Sequence, residues 1–282
     1  MAVQATTLPI DELHEKAKTL RQHIIRMTTA AGSGHPSSSL SAVEVVNALF
    51  FGGFLRYDAG NPADPDRDRF VLSKGHAVPV LYAAMAEAGY LSVDELMTLR
   101  KLGSRLEGHP NMKRLAGIEA STGSLGQGLS IGLGQALGLR LDGKDARVFV
   151  MCGDGEMGEG QVWEALASAG KFRLNHLTLI VDQNGYQQTG ATKDVLDMTP
   201  FGEKIAAFGW HTQTINGNDQ QGVVAALETA TTVSDRPSAI VSQTKKGFGI
   251  LPLLEETGDT NFHGQPLSAD MAERAIALVG AM

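Results

Sequence analysis

The chain has 282 residues, a formal net charge of −7 and one cysteine, Cys152. The charge argues against a general nucleic-acid binder, which needs a basic footprint, and a lone thiol excludes an internal disulfide framework or a cysteine zinc site. No apolar stretch approaches about 18 residues and no basic-then-apolar leader opens the chain, so a soluble cytoplasmic protein without a membrane partner is expected.

Met1 to Thr7 reads as a loose tail. Asp11 to Ala31 reads as a helix, with Leu13, Ala17, Leu20, Ile24 and Met27 spaced for one apolar face. It stops at Gly32-Ser33-Gly34-His35-Pro36, where Pro36 biases His35 away from helix. Ser41 to Phe51 is a second helix with so little polar face that deep burial is expected. Tyr57 to Arg69, with Pro62, Pro65 and several aspartates, is a surface loop. Phe70 to Leu72 is a short strand running into Ser73-Lys74-Gly75-His76. Ala77 to Ala88 returns to helix, with Pro79 tolerated in its first turn. Ser92 to Leu99 is another helix, capped by Ser92 with Glu95. Gly103 to Ser121 has no periodicity and carries Gly108-His109-Pro110. After Thr122 to Gly128 comes a helix whose Gly128, Gly132 and Gly134 cost propensity, so close packing is expected as compensation.

The stretch from Arg147 to Gln188 organises the rest. An apolar run, Val148 to Cys152, stops at Gly153-Asp154-Gly155; a helical segment follows; a second run, Leu177 to Val181, stops at Asp182-Gln183-Asn184. Strand, crossover helix and strand form the unit of a parallel sheet. Both polar clusters fall at strand ends, where open α/β sheets bind ligands. Beyond them, Thr192 to Phe208 is helix and turn, Thr212 to Ile215 a strand, Gly222 to Thr231 a helix and Pro237 to Gln243 a final strand. Thr244 to Gly249 and His263-Gly264 lie in loops, and Leu267 to Val279 is a terminal helix. The fold class expected is α/β, a mainly parallel sheet covered by helices on both faces, as one domain over residues 1–282.

Residues 153–158, GDGEMG, match the GxGxxG of a dinucleotide turn, so an NAD-dependent oxidoreductase is one candidate. Asp154, Glu156 and Glu159, however, crowd the place where two phosphates would sit, a repulsive arrangement without a cation. A metal reverses that sign: an Asp154 oxygen, an Asn184 amide oxygen and a backbone carbonyl near Tyr186 would bind Mg2+ together with a diphosphate. An EF-hand fails because Gly158 occupies a ligand position. His35, His76, His109 and His263 each sit beside glycine or proline in loops, where proton transfer is a natural role; a zinc site built from them lacks compact spacing. Cys152, inside a strand, reads as an inert buried thiol.

In order, the chain carries SGHP at Ser33 to Pro36, DRFVLSKGHA at Asp68 to Ala77, GHP at Gly108 to Pro110 and TGSLGQG at Thr122 to Gly128. It continues with GDGEMGEG at Gly153 to Gly160, DQN at Asp182 to Asn184 and HG at His263 to Gly264. With these motifs it resembles the thiamine-diphosphate-binding N-terminal part of transketolases over nearly its whole length. The resemblance implies that Asp154, Asn184 and the Tyr186 carbonyl hold Mg2+ or Ca2+, and that Gly153, Gly155 and Glu156 lie where the diphosphate is seated. His76 and His263 would border that pocket, and Ser124 and Leu125 line the cofactor cleft. His35, His76, His109 and His263 match histidines of the catalytic centre, and Glu159 and Glu164 match acids near a dimer axis that connect paired sites. Conventional transketolases continue into pyrimidine-binding and C-terminal domains, for which 282 residues leave no room. The resemblance therefore implies one subunit of a split enzyme, or a fragment of a longer one. Its partner would be a chain carrying the pyrimidine-binding domain, assembled as α2β2 and acting on small sugars. A non-catalytic, cofactor-binding regulatory subunit is the remaining alternative.

Overall fold

Alternating apolar runs and glycine turns become, in a computed structural model that describes residues 4–282, a five-stranded parallel sheet wrapped by helices. In chain order the strands are β1 (Gln4–Thr7), β2 (Gly52–Tyr57), β3 (Arg69–Leu72), β4 (Val148–Gly153), β5 (Leu177–Gln183), β6 (Tyr186–Gln187), β7 (Gly190–Ala191), β8 (His211–Asn216) and β9 (Ser238–Gln243). The main helices are α1 (Ile10–Ala31), α2 (Pro36–Leu40), α3 (Val43–Phe51), α4 (Val78–Glu87), α5 (Gln127–Leu141) and α6 (Gly160–Phe172). They are followed by α7 (Thr192–Val195), α8 (Phe201–Ala206), α9 (Gln220–Thr232), α10 (Leu251–Glu256) and α11 (Ala269–Gly280).

The sheet order is β3-β4-β5-β9-β8, all neighbours parallel. Side chains alternate across it as strand geometry requires. Phe149, Met151, Ile180 and Ile240 join a core with α1, α3, α4, α9 and α11. Val148, Val150, Cys152, Leu179 and Val241 join a second core with α5, α6 and α8. Burial on both faces explains why β4 and β5 read as unbroken apolar runs. Cys152 is fully buried.

The glycines of α5 divide by function. A Cβ at Gly128 would collide with Ser73, and one at Gly132 with Val150, so these positions let the helix lie close on β3 and β4. Gly134 meets nothing within 4 Å and has no such compensation, contrary to expectation.

Four further expectations are corrected. Within the expected tail, Gln4–Thr7 is a strand pairing antiparallel with Gly52–Tyr57, a strand not read from the sequence; Met1 to Val3 lie outside the described residues. The Ser92–Leu99 segment is a 3-10 helix over Val93–Thr98, although Ser92 caps it by accepting from Glu95 N–H. Leu251–Glu256 is an additional helix. Beyond β5, a small β6-β7 hairpin forms immediately after Asn184. Among the described residues no helix is long and apolar enough to cross a membrane.

Candidate functional site

Strand register builds the site. Gly153 pairs with Asp182 across β4 and β5, so Asp154 and Asn184 emerge together at the carboxyl edge of the sheet. Asp154 is buried, and its Oδ1 and Oδ2 accept from Gly155 N–H (2.9 Å) and Gly185 N–H (2.7 Å). Burial, and then the charge of Asp182, push its pKa up to about 7 despite those two donors. A buried carboxylate raised in this way is a natural neighbour for a cation. Asn184 Oδ1 accepts from Tyr186 N–H (3.1 Å) and its Nδ2 donates to Asp182 Oδ2 (3.1 Å). Gly185, at φ +82°, makes the turn that closes the pair. A Cβ on Gly155 would stand 2.6 Å from Gln187 Cβ, so only glycine lets the two turns approach.

Behind this edge, Asp182 is fully buried in an ion pair with Lys74 Nζ. Ser41 Oγ (2.7 Å) and Thr244 Oγ1 (2.5 Å) also donate to it. Burial alone would push Asp182 up; the Lys74 charge and these donors outweigh it and hold the group below its ordinary value. Glu156 is equally enclosed. It accepts from Ser73 Oγ, Gly126 N–H (2.9 Å) and Gly153 N–H (3.0 Å), tying the Thr122–Gly128 loop to the end of β4.

The histidines come from distant loops and meet. His35, His76 and His263 form a triangle with ring centroids 4.9 to 5.4 Å apart. Burial, then neighbouring positive or imidazole charge, lowers His35 to about 3 and His263 to about 4, and drives His76 well down. All three are therefore neutral near pH 7. His109 stands apart from the triangle, close to Gly123, and is exposed; desolvation and then Arg100 lower its pKa. His35 Nδ1 is buried without a partner. Lys246 Nζ lies 3.1 Å from His263 Nδ1 and is itself lowered to about 8, first by burial and then by the Lys74 charge.

A cavity of about 590 Å³ is lined by His35, His76, His109, His263, Leu125, Gly153, Asp154, Gly155, Glu156, Glu159, Asn184 and Tyr186. Ser124 and Glu164 are exposed and stand outside its lining. Lys74 and Lys246 line it too and were missed by motif reasoning centred on histidine. A signal existed for both, since each follows a strand of the sheet at its ligand-binding edge. Among the described residues no group of three or more His, Cys, Asp or Glu is arranged to hold a metal ion. A cation here would have to recruit amide and carbonyl oxygens beside Asp154, a hard-oxygen set that suits Mg2+ or Ca2+. The cavity joins that oxygen edge to an ammonium, which fits an anion-bearing cofactor held through a metal.

Comparison with known proteins agrees with this geometry. The family model for the thiamine diphosphate binding domain of transketolase matches residues 13–280. Transketolase-like protein 2 of Bos taurus is 44% identical over 280 residues, spanning 98% of this chain but 43% of the bovine protein. The 6-deoxy-6-sulfo-D-fructose transketolase subunit SqwG of Clostridium sp. (strain MSTE9) is 40% identical over 266 residues, 94% of this chain and 95% of that subunit. Among solved structures, transketolase from Campylobacter jejuni superposes with a TM-score of 0.88 at 32% identity, covering 97% of this chain and 43% of that one. A transketolase variant from Pichia stipitis gives 0.89 at 31% identity, covering 97% and 41%.

Proposed function

This chain belongs to the transketolase family, and we propose that it is the diphosphate-binding subunit of a heteromeric enzyme moving a two-carbon ketol unit from a ketose to an aldose. The observation that carries this reading is the meeting, in one cavity, of the Asp154–Asn184–Tyr186 edge, the Lys246 ammonium and three neutral imidazoles. Residues 1–282 act as one domain in this reading, within a cytoplasmic enzyme.

Asp154, Asn184 and the Tyr186 carbonyl would hold Mg2+ or Ca2+. Gly153, Gly155 and the backbone toward Glu156 would receive the diphosphate, with His76 and His263 beside it and Lys246 adding positive charge. Leu125 and, at the rim, Ser124 would border the cofactor's ring end. When bound, thiamine diphosphate supplies the electron sink for breaking and making the carbon–carbon bond. The chain's part is to orient the sugar and move protons. Lowered to about 3 and about 4, His35 and His263 stay unprotonated near pH 7, and with His76 they would serve as hydrogen-bond partners for sugar hydroxyls in the cavity they line. His109, at the open side, would handle substrate more than cofactor.

The chain spans about 43% of the length of the bovine relative. The reading therefore assigns the pyrimidine-binding half to a partner chain, in an α2β2 assembly with the exposed Glu159 and Glu164 facing the interface. The name of the Clostridium subunit places a sulfonated ketose among the substrates to try, alongside phosphorylated and unphosphorylated sugars. The dinucleotide alternative loses support because Asp154, Glu156 and Glu159 all line the cavity at the turn, where a pyrophosphate held without a cation would be repelled. The test is reconstitution with a chain carrying the pyrimidine-binding half. Ketol transfer should require both chains, thiamine diphosphate and a divalent cation. Full activity from this chain alone would refute the split-enzyme reading.

A further inference from the structure

His35, Lys246 and His263 come from three loops, and one short segment beside His263 joins them. Asp259 Oδ1 accepts from Asn261 N–H and Phe262 N–H (both 3.0 Å), and Phe262 is held at φ +43°. A buried non-glycine residue in that region persists only where its surroundings over-determine it. Ser37, two residues after His35, donates from Oγ to the carbonyls of Asn261 (3.3 Å) and Phe262 (2.9 Å). Its own carbonyl accepts from Gly247 N–H (3.0 Å), next to Lys246.

The Asn261 side chain completes the joint. Its Oδ1 accepts from Lys246 Nζ, the same ammonium that reaches His263 Nδ1. Its Nδ2 donates to the carbonyls of Gln187 (3.1 Å) and Gln188 (3.5 Å), in the hairpin that begins at Tyr186. Thr260 Oγ1 pairs with Tyr186 OH (2.8 Å), a second link to that hairpin.

We infer that Asn261 is a positioning residue, fixing the Lys246 ammonium against His263 with one end of its amide and clamping the Tyr186–Gln188 turn with the other. An ammonium has only donors, so His263 Nδ1 must accept and the ring proton must sit on Nε2. Asn261 thereby sets a histidine tautomer and the stance of the turn that presents the Tyr186 carbonyl, without touching substrate. The cofactor half of this inference rests on the proposed function; the tautomer half does not.

The test uses the full chain. Long-range 1H–15N spectra of the labelled histidines, without cofactor, should show His263 as the Nε2–H form. Asn261→Ala should convert that signal to a mixture of tautomers and raise the Mg2+-dependent Kd for thiamine diphosphate about tenfold, the scale for losing a supporting partner. Asn261→Asp keeps an acceptor for Lys246 but loses the donors to Gln187 and Gln188; it should keep the tautomer and still weaken binding. Should Asn261→Ala fail to fold, the Asp variant alone decides. An unchanged tautomer in Asn261→Ala, with Kd within about twofold of the parent in both variants, overturns the inference. A residue that only held the fold would lower Tm without moving either signal. If the parent chain binds no thiamine diphosphate even when reconstituted with its pyrimidine-binding partner, the proposed function fails and the tautomer decides the inference by itself.

Discussion

Lys74→Met would leave Asp182 without its cation in the interior of the sheet. The two side chains are 1% and 0% exposed. Removing one partner of a buried pair costs about 3–5 kcal/mol. Asp182 would keep donors from Ser41, Thr244 and Asn184, which favour the lower end, so the expected loss is about 3 kcal/mol at pH 8. The pH dependence has a definite sign. Without Lys74, burial raises the folded pKa of Asp182 above its unfolded value. A group shifted upward contributes its stability below the unfolded value and loses it as pH rises through the folded one. The deficit of the variant should therefore shrink from pH 8 to pH 5. Urea unfolding followed by circular dichroism at both pH values measures it, and Lys74→Met/Asp182→Asn should recover most of the loss. A deficit below about 1 kcal/mol at both pH values would mean that no desolvated pair exists, and the reasoning would fail.

Gly132→Ala places a methyl against Val150 and should cost about 1–3 kcal/mol by overpacking, whereas Gly134→Ala, with nothing within 4 Å, should stabilise the exposed face of α5 by about 1 kcal/mol; thermal melts compare the two. His35 and His263 are lowered to about 3 and about 4, so the unfolded chain takes up protons first. Their contribution is fully present above about pH 6.5 and falls as pH drops toward those values; His35→Gln should flatten the acid limb of Tm against pH. In the reconstituted enzyme His109→Ala should lower turnover more than cofactor affinity, and a dominant rise in cofactor Kd would move His109 to the diphosphate end.

The central unit was legible because its physics is local. Two apolar runs, each ended by glycine and acid or amide residues, announced buried parallel strands with a polar edge, and β4 and β5 pair as that pattern requires. The pairing of Gln4–Thr7 with Gly52–Tyr57 was not legible, because four residues carry no period that distinguishes a strand from a tail. Leu251–Glu256 escaped for a similar reason, being a six-residue helix with Pro252 in its first turn. At the site, oxygen and imidazole candidates stood out by residue type. The Lys74–Asp182 pair did not, because it depends on a contact between residues 108 positions apart. In the sequence Asp182 is one member of the polar cluster that ends the second apolar run; three-dimensional packing makes it the buried anchor of Lys74. Asn261 is silent in the sequence because its meaning lies entirely in which loops it joins.

Calorimetric titration of this chain, reconstituted with its pyrimidine-binding partner, with thiamine diphosphate, with and without Mg2+, and with NAD in parallel, tests the central claim most directly. The account predicts Mg2+-dependent binding of thiamine diphosphate, its loss in Asp154→Ala, and no heat from NAD. Metal-independent binding of NAD, or thiamine diphosphate affinity untouched by Asp154→Ala, would contradict it.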